Sequence, residues 1–360
     1  MQIRPDIAYI KCRDAMPYNY QKLSVSPFPT TQQPVAGIFN ETFVVTIPQG
    51  TVLSDWGLIK VDNMLVADLF SQLFPISFLL DGFLAKNIEE KNITKISGRV
   101  AVIAHSFHGI FGHWFNEIVG RLIILQESGV EYDWLYAPKY APYMKATYEL
   151  YNIPLDKIID PTEGIVGIQA DELIVPSLTM RLLPCLTDPV NDGWPTTDFW
   201  PKWITGNVRA HYLPLVQARI NDYNFSLKVF ISRKDAPGRH MLNEDEVFAL
   251  FEAQGFKRYS LSKLSVLEQA ILFYGADSIV AAHGSGLTNM IFCQPGTKIL
   301  EIFQHLYDAS LYNLAQDMQC EYYCLKMVPD HELSYVMTST VVPVDLIKHC
   351  IELKFLNKKN

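Results

Sequence analysis

Residues 277–303 read DSIVAAHGSGLTNMIFCQPGTKILEIF, and this stretch decides the fold. Its first segment, DSIVAAH, has the apolar composition of a buried strand. The following GSGLTNMIF has the glycines of a loop that leads into a helix, and a QPG turn precedes a second apolar strand, TKILEIF. Two buried strands connected through a helix are typical of a parallel sheet, so the stretch predicts a βαβ unit of Rossmann type.

The alternation of strands and helices extends to the N-terminal side of this unit. The segments KVFISRK (228–234) and FKRYSL (256–261) have the short apolar pattern of strands. A helix that begins at a capping-box pattern follows each of them: Asn243 with Glu246, and Ser265 with Glu268. The order β-α-β-α-β-α-β predicts a doubly wound, mostly parallel half-domain.

The first half of the chain predicts a second domain of the same class. RVAVIAH (99–105) has a strand pattern, and after a loop a helical pattern runs from about His113 to Gln126 and ends near Gly129. Before these, residues 42–69 alternate apolar with polar side chains, which predicts a small antiparallel meander. We therefore expect an α/β protein in which two Rossmann-like domains face each other across a cleft.

The predicted organisation has four parts, divided where the sequence pattern changes. They are an N-terminal extension with the β meander (1–97), an N-terminal Rossmann-like domain (98–205), a C-terminal Rossmann-like domain (206–340) and a C-terminal helix (341–360). Prolines and tryptophans are concentrated in residues 184–205, which we interpret as the connection between the two large domains.

Composition and charge limit the classes of function. The chain has 360 residues, 49% hydrophobic and 19% charged, which excludes a disordered protein. Its formal net charge of −8 lacks the basic excess of a nucleic-acid binder. The apolar stretch from Leu65 to Leu84 is interrupted by polar residues and the first 20 residues lack an apolar core, so we expect no membrane span, no signal peptide and a cytoplasmic protein.

Small and polar residues follow the strand of the central βαβ unit. They are His283, Gly284, Ser285, Gly286, Leu287, Thr288 and Asn289. Glycines at a strand end allow close backbone approach, and free N–H groups at the start of a helix bind phosphate. Ligands of open parallel sheets lie outside the carboxyl ends of the strands, so the pattern predicts an anion site, with a tight structural turn as the alternative.

Charged residues end the neighbouring strands. Arg233 and Lys234 follow the first strand of this half and Arg239 lies in its loop, where their charges can neutralise a diphosphate. Glu301 lies in the last strand of the central unit, where a carboxylate can accept hydrogen bonds from ribose hydroxyls. Ordinary solvated charges are the alternative interpretation for all four.

A second polar group lies on the helix predicted in the first half. Four residues at helical spacing share one face, and two histidines lie just upstream: His113, Asn116, Glu117 and Arg121, with His105 and His108. Gly120 within this face indicates that something approaches the helix closely. A carboxylate near His and Arg is a reasonable general base for a hydroxyl nucleophile, whereas a solvated helix face is the alternative.

Together these motifs resemble glycosyltransferase family 61. That family shows I-S-R-[KR], N-E-[DE], S-x-x-E-Q, H-G-[AS]-G-L-T-N and P-G-T-x-x-x-E, and all five motifs occur here in this order from Ile231 to Glu301. In the first half, GHWFNEIVGRL (112–122) resembles the family segment H-W-[LF]-x-[DE], although Gly120 stands where a Pro is common. The resemblance covers roughly residues 98–304.

The resemblance implies a GT-B fold, in which the first domain binds the acceptor and the second binds the nucleotide sugar. It implies inverting transfer from a nucleotide sugar, commonly a UDP-sugar, with no metal or other cofactor. Family members transfer N-acetylglucosamine, xylose or arabinose to protein or polysaccharide acceptors. No Asp-x-Asp metal motif occurs in the chain.

Specific roles follow from the resemblance. Glu117 is the candidate base, with His113 as its support or alternate. The acceptor-side candidates are His105, His108, Asn116 and Arg121. The donor-binding candidates are residues 283–289 with Arg233, Lys234, Arg239 and Glu301.

The expected partners are a nucleotide-sugar donor and a glycan or glycoconjugate acceptor, without nucleic acid. We expect the enzyme to act in polysaccharide biosynthesis, on a capsule or lipid-linked glycan at the inner membrane face. Peripheral membrane association and homo-oligomerisation stay open at this point. A catalytically inactive nucleotide-sugar-binding protein is one alternative, and a Rossmann oxidoreductase is disfavoured by the incomplete dinucleotide motif.

Overall fold

The computed structural model describes residues 4–20, 36–62, 64–66, 69, 92–179, 201–304, 310–327 and 339–351. The chain divides into two compact units. Unit 1 consists of Met1–Asn19 and Ala36–Asn207, and unit 2 of Tyr20–Val35 and Val208–Asn360. Most of the predicted connection, residues 184–205, lies outside the described residues.

Unit 1 contains one large mixed sheet and a two-stranded sheet. Its strands are β1 (Ala8–Arg13), β2 (Met16–Asn19), β3 (Ala36–Phe39), β4 (Thr42–Pro48), β5 (Thr51–Leu53), β6 (Leu58–Val61), β7 (Met64–Leu65), β8 (Ile93–Val102), β9 (Trp134–Tyr136), β10 (Ile158–Ile159) and β11 (Gly167–Pro176). Among the described residues, nine strands form the large sheet, in the order β10-β9-β8-β11-β5-β6-β7, with β4 paired to both β11 and β1. The strands β10, β9, β8 and β11 are parallel, and the other pairs are antiparallel.

The predicted meander is part of this sheet and not a separate element. β5, β6 and β7 are antiparallel as expected, but β4 and β5 both pair with β11. The predicted boundary between residues 97 and 98 falls inside β8, which begins at Ile93. β8 and β11 contain fully buried residues such as Val100 and Leu173, so the N-terminal strands extend the sheet that buries them.

One helix connects β8 to β9 and carries the predicted polar group. This helix, α1, is α-helical over Phe111–His113, π-helical over Trp114–Val119 and α-helical over Gly120–Ser128. It ends as predicted at Gly129, whose φ of 65° lies in the left-handed region that glycine adopts without strain. π-helical turns are rare and occur frequently at functional sites. Helix α2 (Pro142–Leu150) connects β9 to β10.

Unit 2 contains a parallel sheet with helices between its strands. The strands are β12 (Lys228–Ser232), β13 (Lys257–Ser260), β14 (Ser278–Ala282), β15 (Lys298–Phe303) and β16 (Glu321–Lys326). The helices are α3 (Lys202–Arg219), in which the two units divide, α4 (Glu244–Glu252), α5 (Val266–Gly275), α6 (Ser310–Asp317) and α7 (Val344–Cys350). The strand order is β13-β12-β14-β15-β16, and every pair is parallel, so the predicted α/β class is confirmed.

The direction of the strand order reverses between β12 and β14. From β12 the chain passes to β13 on one side and then returns to β14 on the other. Open α/β sheets bind ligands beyond the C-terminal ends of the strands at such a switch point. Arg233 follows β12 and His283 follows β14, so both residues lie at this position.

The two predicted capping boxes have different outcomes. Ser265 and Glu268 form the reciprocal pair at the start of α5, with the Glu268 carboxylate accepting from the Ser265 backbone N–H at 2.8 Å. Asn243 precedes α4 but does not cap it, because its Oδ1 accepts from the Val342 backbone N–H at 2.8 Å. A long-range contact therefore replaces the local one. The predicted C-terminal helix includes α7, and residues 352–360 lie outside the described part of the chain.

Candidate functional site

A buried carboxylate holds the turn that follows β12. Glu244 is 2% exposed and accepts hydrogen bonds from Ser232 Oγ at 2.7 Å and from the Arg233 backbone N–H at 3.2 Å. The Arg233 side chain donates from Nη2 to the Gly238 carbonyl at 3.2 Å. Both the backbone and the guanidinium of Arg233 are therefore held in place at the strand end.

Gly284 provides the space that this guanidinium occupies. A Cβ at position 284 would overlap Arg233 Nη1 and lie 2.8 Å from Arg233 Cζ. The small residue predicted to admit a ligand thus admits an arginine side chain. The ends of β12 and β14 meet at this contact, with β12 contributing the charge and β14 the backbone.

Charges of both signs act on the guanidinium at this contact, because Arg239 lowers its pKa and Asp235 raises it. Burial, together with the nearby charge of Arg239, lowers the pKa of Arg233 to about 10. Arg239 has a φ of 58°, in the left-handed region, and Arg233 forms no salt bridge with any described residue. Two like charges close together and partly withdrawn from water are stabilised by a bound anion.

Lys234 differs from its neighbour in having a partner. It is exposed, and its Nζ bonds both carboxylate oxygens of Asp245 at 2.7 Å. Asp245 also accepts from Arg258 at 2.6 Å. An exposed ion pair of this kind is weak, so the predicted diphosphate contact of Lys234 stays a prediction.

The segment after Gly284 is shaped by its own packing. Ser285–Phe292 is a 3₁₀ segment and not the predicted α-helix. Three predicted donor residues are buried within it: Leu287, Thr288 and Asn289. Asn289 Nδ2 donates to Gln269 Oε1 at 2.8 Å and to the Gly286 carbonyl at 2.9 Å, which fixes the loop on α5. Ser285 and Gly286 keep partial exposure and can face a ligand.

Glu301 has no exposed surface, and both of its oxygens are bonded. Oε1 lies 2.6 Å from His283 Nδ1, and Oε2 accepts the hydroxyl of Tyr322. The His283 ring stacks on Phe303 at 4.8 Å between centroids, and 13% of its side chain is exposed. The predicted ribose contact of Glu301 is therefore corrected, because its carboxylate faces His283 and Tyr322.

In unit 1, three predicted residues form one group. Glu117 Oε2 lies 3.0 Å from His105 Nδ1 and 3.1 Å from His113 Nδ1. The side chains of His105 and Glu117 are 3% and 6% exposed, whereas that of His113 is 19% exposed. Of the three, His113 has the greatest access to a ligand.

Two opposed effects set the pKa of Glu117. Burial alone would raise it, but positive charge and hydrogen bonds from His105 and His113 hold it well below its usual range. A carboxylate with such a low pKa is a poor proton acceptor and a strong hydrogen-bond acceptor. The roles predicted for Glu117 as the base and for His113 as its support or alternate stay predictions.

Arg121 and Asn116 lie inside the fold, each 1% exposed. Arg121 donates to the Ala104 carbonyl at 2.7 Å and to the Pro176 carbonyl at 3.1 Å, at the ends of β8 and β11. Burial lowers its pKa to about 10, although the charge of Glu117 acts in the opposite direction. The predicted acceptor-side roles of both residues lose their support, because neither reaches the surface.

The close approach predicted at Gly120 is made by the protein itself. A Cβ there would overlap Thr179 Cγ2 and lie 3.0 Å from Ile204 Cδ1. Glycine at this position therefore permits packing within unit 1.

His108 lies beside the Glu117 group. Its Nδ1 is 3.0 Å from the His105 carbonyl, and its Nε2 is 3.9 Å from Asp55 Oδ2. Tyr140 packs edge-on against it at 5.9 Å and is 52% exposed. The acceptor-side role of His108 stays a prediction.

Two kinds of feature are missing from the described residues. No three His, Cys, Asp or Glu side chains among them are arranged to hold a metal ion. None of the described helices combines the length and the apolar composition needed to cross a membrane.

Two residues that had no predicted role in the site, Glu244 and Tyr322, bond to predicted site residues near the strand ends. Glu244 belongs to the N-E-[DE] motif, but the sequence assigned it no role at the strand end. Tyr322 reaches Glu301 because β15 and β16 pair in parallel, with Ile299 opposite Tyr322. The sequence contains no local pattern that connects Tyr322 to Glu301.

Both groups of residues fall largely within the range matched by a known family. The family described as Glycosyltransferase 61 matches residues 111–300, which is just over half of the chain. This range begins at α1 and ends one residue before Glu301. No curated protein matches the chain significantly.

Proposed function

The chain belongs to glycosyltransferase family 61 and is a glycosyltransferase, and we propose that it transfers a sugar from a UDP-sugar to a hydroxyl of a glycan or glycoconjugate with inversion. One observation carries the proposal. Arg233 is partly buried, lies against Gly284 at the switch point of a parallel sheet, and forms no salt bridge within the described residues. In the proposal, the diphosphate of the nucleotide sugar forms that missing ion pair with Arg233.

The diphosphate is also the leaving group, so the same cations act in the transition state. As the bond from the anomeric carbon to the phosphate oxygen breaks, UDP leaves with the electron pair and negative charge grows on that oxygen. Cations that are already in place stabilise this charge without reorganisation. Arg233 and Arg239 have this role in the proposal, with no divalent metal.

The acceptor hydroxyl needs a base, and His113 is the residue we assign. Its Nδ1 bonds Glu117, so Nε2 is the nitrogen that takes the hydroxyl proton while the oxygen attacks the anomeric carbon. Glu117 orients the ring and stabilises the imidazolium that forms. The proposal thus gives donor binding to unit 2 and acceptor activation to unit 1, which is the division of roles in GT-B enzymes.

Calorimetry of UDP binding tests the donor part of the proposal. We expect wild-type protein to bind UDP equally in the presence of EDTA and of Mg²⁺. Arg233→Ala removes charge-assisted hydrogen bonds worth about 1.5–3 kcal/mol each, so it should weaken UDP roughly tenfold to a hundredfold. Arg219→Ala is the matched control, because Arg219 is 51% exposed and pairs with Asp222.

Two results would contradict this part. If UDP binds only with Mg²⁺, metal-independent binding is wrong. If Arg233→Ala and Arg219→Ala have equal affinity for UDP, the donor does not bind at the β12 end.

An assay of sugar transfer distinguishes an enzyme from an inactive nucleotide-sugar-binding protein. UDP-sugars that raise the melting temperature identify donors, and each is then incubated with candidate acceptor glycans. Sugar transfer that is lost in His113→Ala supports the enzyme. UDP-sugar binding without any His113-dependent transfer supports the inactive binding protein.

A further inference from the structure

The His283–Glu301–Tyr322 group has no role in the chemistry proposed above. Glu301 is fully buried in β15, His283 directly follows β14, and Tyr322 is the second residue of β16, so the three members come from neighbouring strands or their ends. The group is a chain of hydrogen bonds in which the buried carboxylate of Glu301 connects two partly exposed side chains, His283 and Tyr322. A buried polar chain of this kind fixes the orientation of its last ring.

Hydrogen-bond roles within the chain follow from the chemistry of each group. Tyr322 donates its hydroxyl to Glu301 Oε2, and an ionised carboxylate only accepts, so the His283 nitrogen 2.6 Å from Oε1 carries a proton. With Nδ1 protonated, the uncharged ring has its lone pair at Nε2. No described residue bonds this Nε2.

His283 lies next to the predicted phosphate site, because the following residue, Gly284, lies against the guanidinium of Arg233. An imidazole nitrogen with a lone pair binds hydroxyl groups, which donate, and not phosphate oxygens, which only accept.

We propose that His283 Nε2 accepts a hydrogen bond from a hydroxyl of the bound nucleotide sugar, and that Glu301 and Tyr322 are the positioning residues for this contact. The inference rests on the proposed function, because it assumes that a nucleotide sugar binds at the switch point. Both the ribose and the transferred sugar carry such hydroxyls. The sequence predicted that Glu301 itself binds a ligand hydroxyl. In this proposal His283 binds the hydroxyl, and Glu301 holds the ring of His283.

Such a contact gives specificity as well as affinity. If the ligand lacks the hydroxyl, the Nε2 lone pair of a ring that cannot rotate stays unpaired. The loss of affinity is then larger than when the same contact is lost at a mobile surface side chain. A ring that rotates freely pairs with water and discriminates less. The effect of Tyr322 on ligand choice therefore distinguishes positioning from a purely structural role.

The experiment compares four ligands by calorimetry: UDP, 2′-deoxy-UDP, 3′-deoxy-UDP and pyrophosphate. For wild type we expect one of the deoxy ligands to bind about tenfold more weakly than UDP. His283→Ala should abolish this difference and leave pyrophosphate affinity unchanged. Tyr322→Phe should reduce the difference to about threefold, as expected for partial loss of one hydrogen bond.

Tyr323→Phe is the matched control. Tyr323 is the next residue of β16, and its hydroxyl is 3.4 Å from Glu321, not bonded to Glu301. This variant should keep the wild-type discrimination. If it loses discrimination to the same extent as Tyr322→Phe, the role of Tyr322 is structural and the positioning assignment is overturned.

The remaining outcomes are also decisive. If His283→Ala leaves UDP unchanged but weakens a UDP-sugar about tenfold, the hydroxyl belongs to the transferred sugar and the proposal stands. If His283→Ala weakens pyrophosphate as much as UDP, His283 contacts phosphate and the proposal is overturned. An unchanged affinity for every ligand overturns it as well.

A ligand-free measurement separates failure of this inference from failure of the proposed function. The measurement is an NMR spectrum of protein labelled with ¹⁵N-histidine. The resonances of His283 are identified as those that are absent from the spectrum of His283→Ala. Their shifts should indicate a neutral ring protonated at Nδ1, and Glu301→Gln should change them. Wild type that binds no UDP rejects the proposed function, whereas a ring protonated at Nε2 rejects the His283 assignment in either case.

Discussion

The Nη1 atom of Arg233 occupies the space that a side chain at position 284 would need. The glycine and the arginine lie on different strands, 51 residues apart in the chain. A side chain at position 284 would therefore displace the guanidinium from the place that the glycine leaves for it. This relationship gives the first prediction.

Gly284→Ala should displace the Arg233 guanidinium and weaken UDP roughly tenfold, which is less than the loss of the whole charge in Arg233→Ala. Gly206→Ala is the control, because a Cβ at Gly206 meets nothing within 4 Å. Calorimetry measures both. Unchanged UDP affinity in Gly284→Ala would show that the position of Arg233 does not matter for the donor.

His113 and Glu117 should affect turnover and not donor binding. We expect His113→Ala and Glu117→Gln each to lose at least about 100-fold in the rate of transfer, with near-normal UDP affinity, because removal of a general base typically costs about 10²–10⁴-fold. The larger loss is expected for His113→Ala. The rates are measured at saturating donor and acceptor.

Full turnover in His113→Ala would exclude it as the base. A much larger loss in Glu117→Gln than in His113→Ala would make Glu117 the base, in spite of its low pKa. His108→Ala is the comparison variant on the same surface.

Glu117 should also make the fold sensitive to acid. Its pKa in the folded protein lies below the ordinary value of 4.5, so the unfolded state takes up the proton at a higher pH than the folded state. The ionised Glu117 carboxylate stabilises the folded state above about pH 4.5, and this contribution to the unfolding free energy decreases as the pH falls below that value. The difference in unfolding free energy between wild type and Glu117→Gln should therefore narrow between pH 7 and pH 4.

Urea unfolding at the two pH values measures this difference, with Glu149→Gln at an exposed site as the control. An equal difference at both pH values would mean that Glu117 titrates alike in the folded and unfolded states.

The capping box at Ser265 gives a prediction on stability alone. Ser265→Ala removes the cap of α5 and should lower the unfolding free energy by about 1 kcal/mol. Ser265→Thr keeps the hydroxyl and should recover most of the loss. If both variants unfold at the same urea concentration, the hydroxyl does not stabilise the helix.

Much of unit 2 could be predicted because its signals are local. The strands of KVFISRK, DSIVAAH and TKILEIF, the cap at Ser265 and the glycine after His283 each depend on residues close in the chain. Their order also placed Arg233 and Gly284 together, since parallel strands end at one edge of a sheet. In α1, the helical spacing identified His113 and Glu117 as neighbours, and they are.

Non-local pairing decided the rest. Asn243 has the sequence of a cap but bonds Val342, and Glu301, which was predicted at a strand end, lies within β15 and bonds Tyr322. Arg121 shares a helix face with Glu117, yet it lies in the interior and bonds the carbonyls near the ends of β8 and β11. No spacing rule predicts these contacts, because they join residues from separate parts of the chain.

The sequence by itself determined the class of the fold, the family and the residue types available at the strand ends, since apolar periodicity and short motifs act over a few residues. Only the tertiary structure decided which of these side chains keep access to a ligand. His113, Arg233 and His283 are partly exposed, whereas Glu117 and Glu301 are buried behind them. Whether a residue is buried depends on which elements pack against it. In a sheet, those elements are strands and helices that lie far away in the chain.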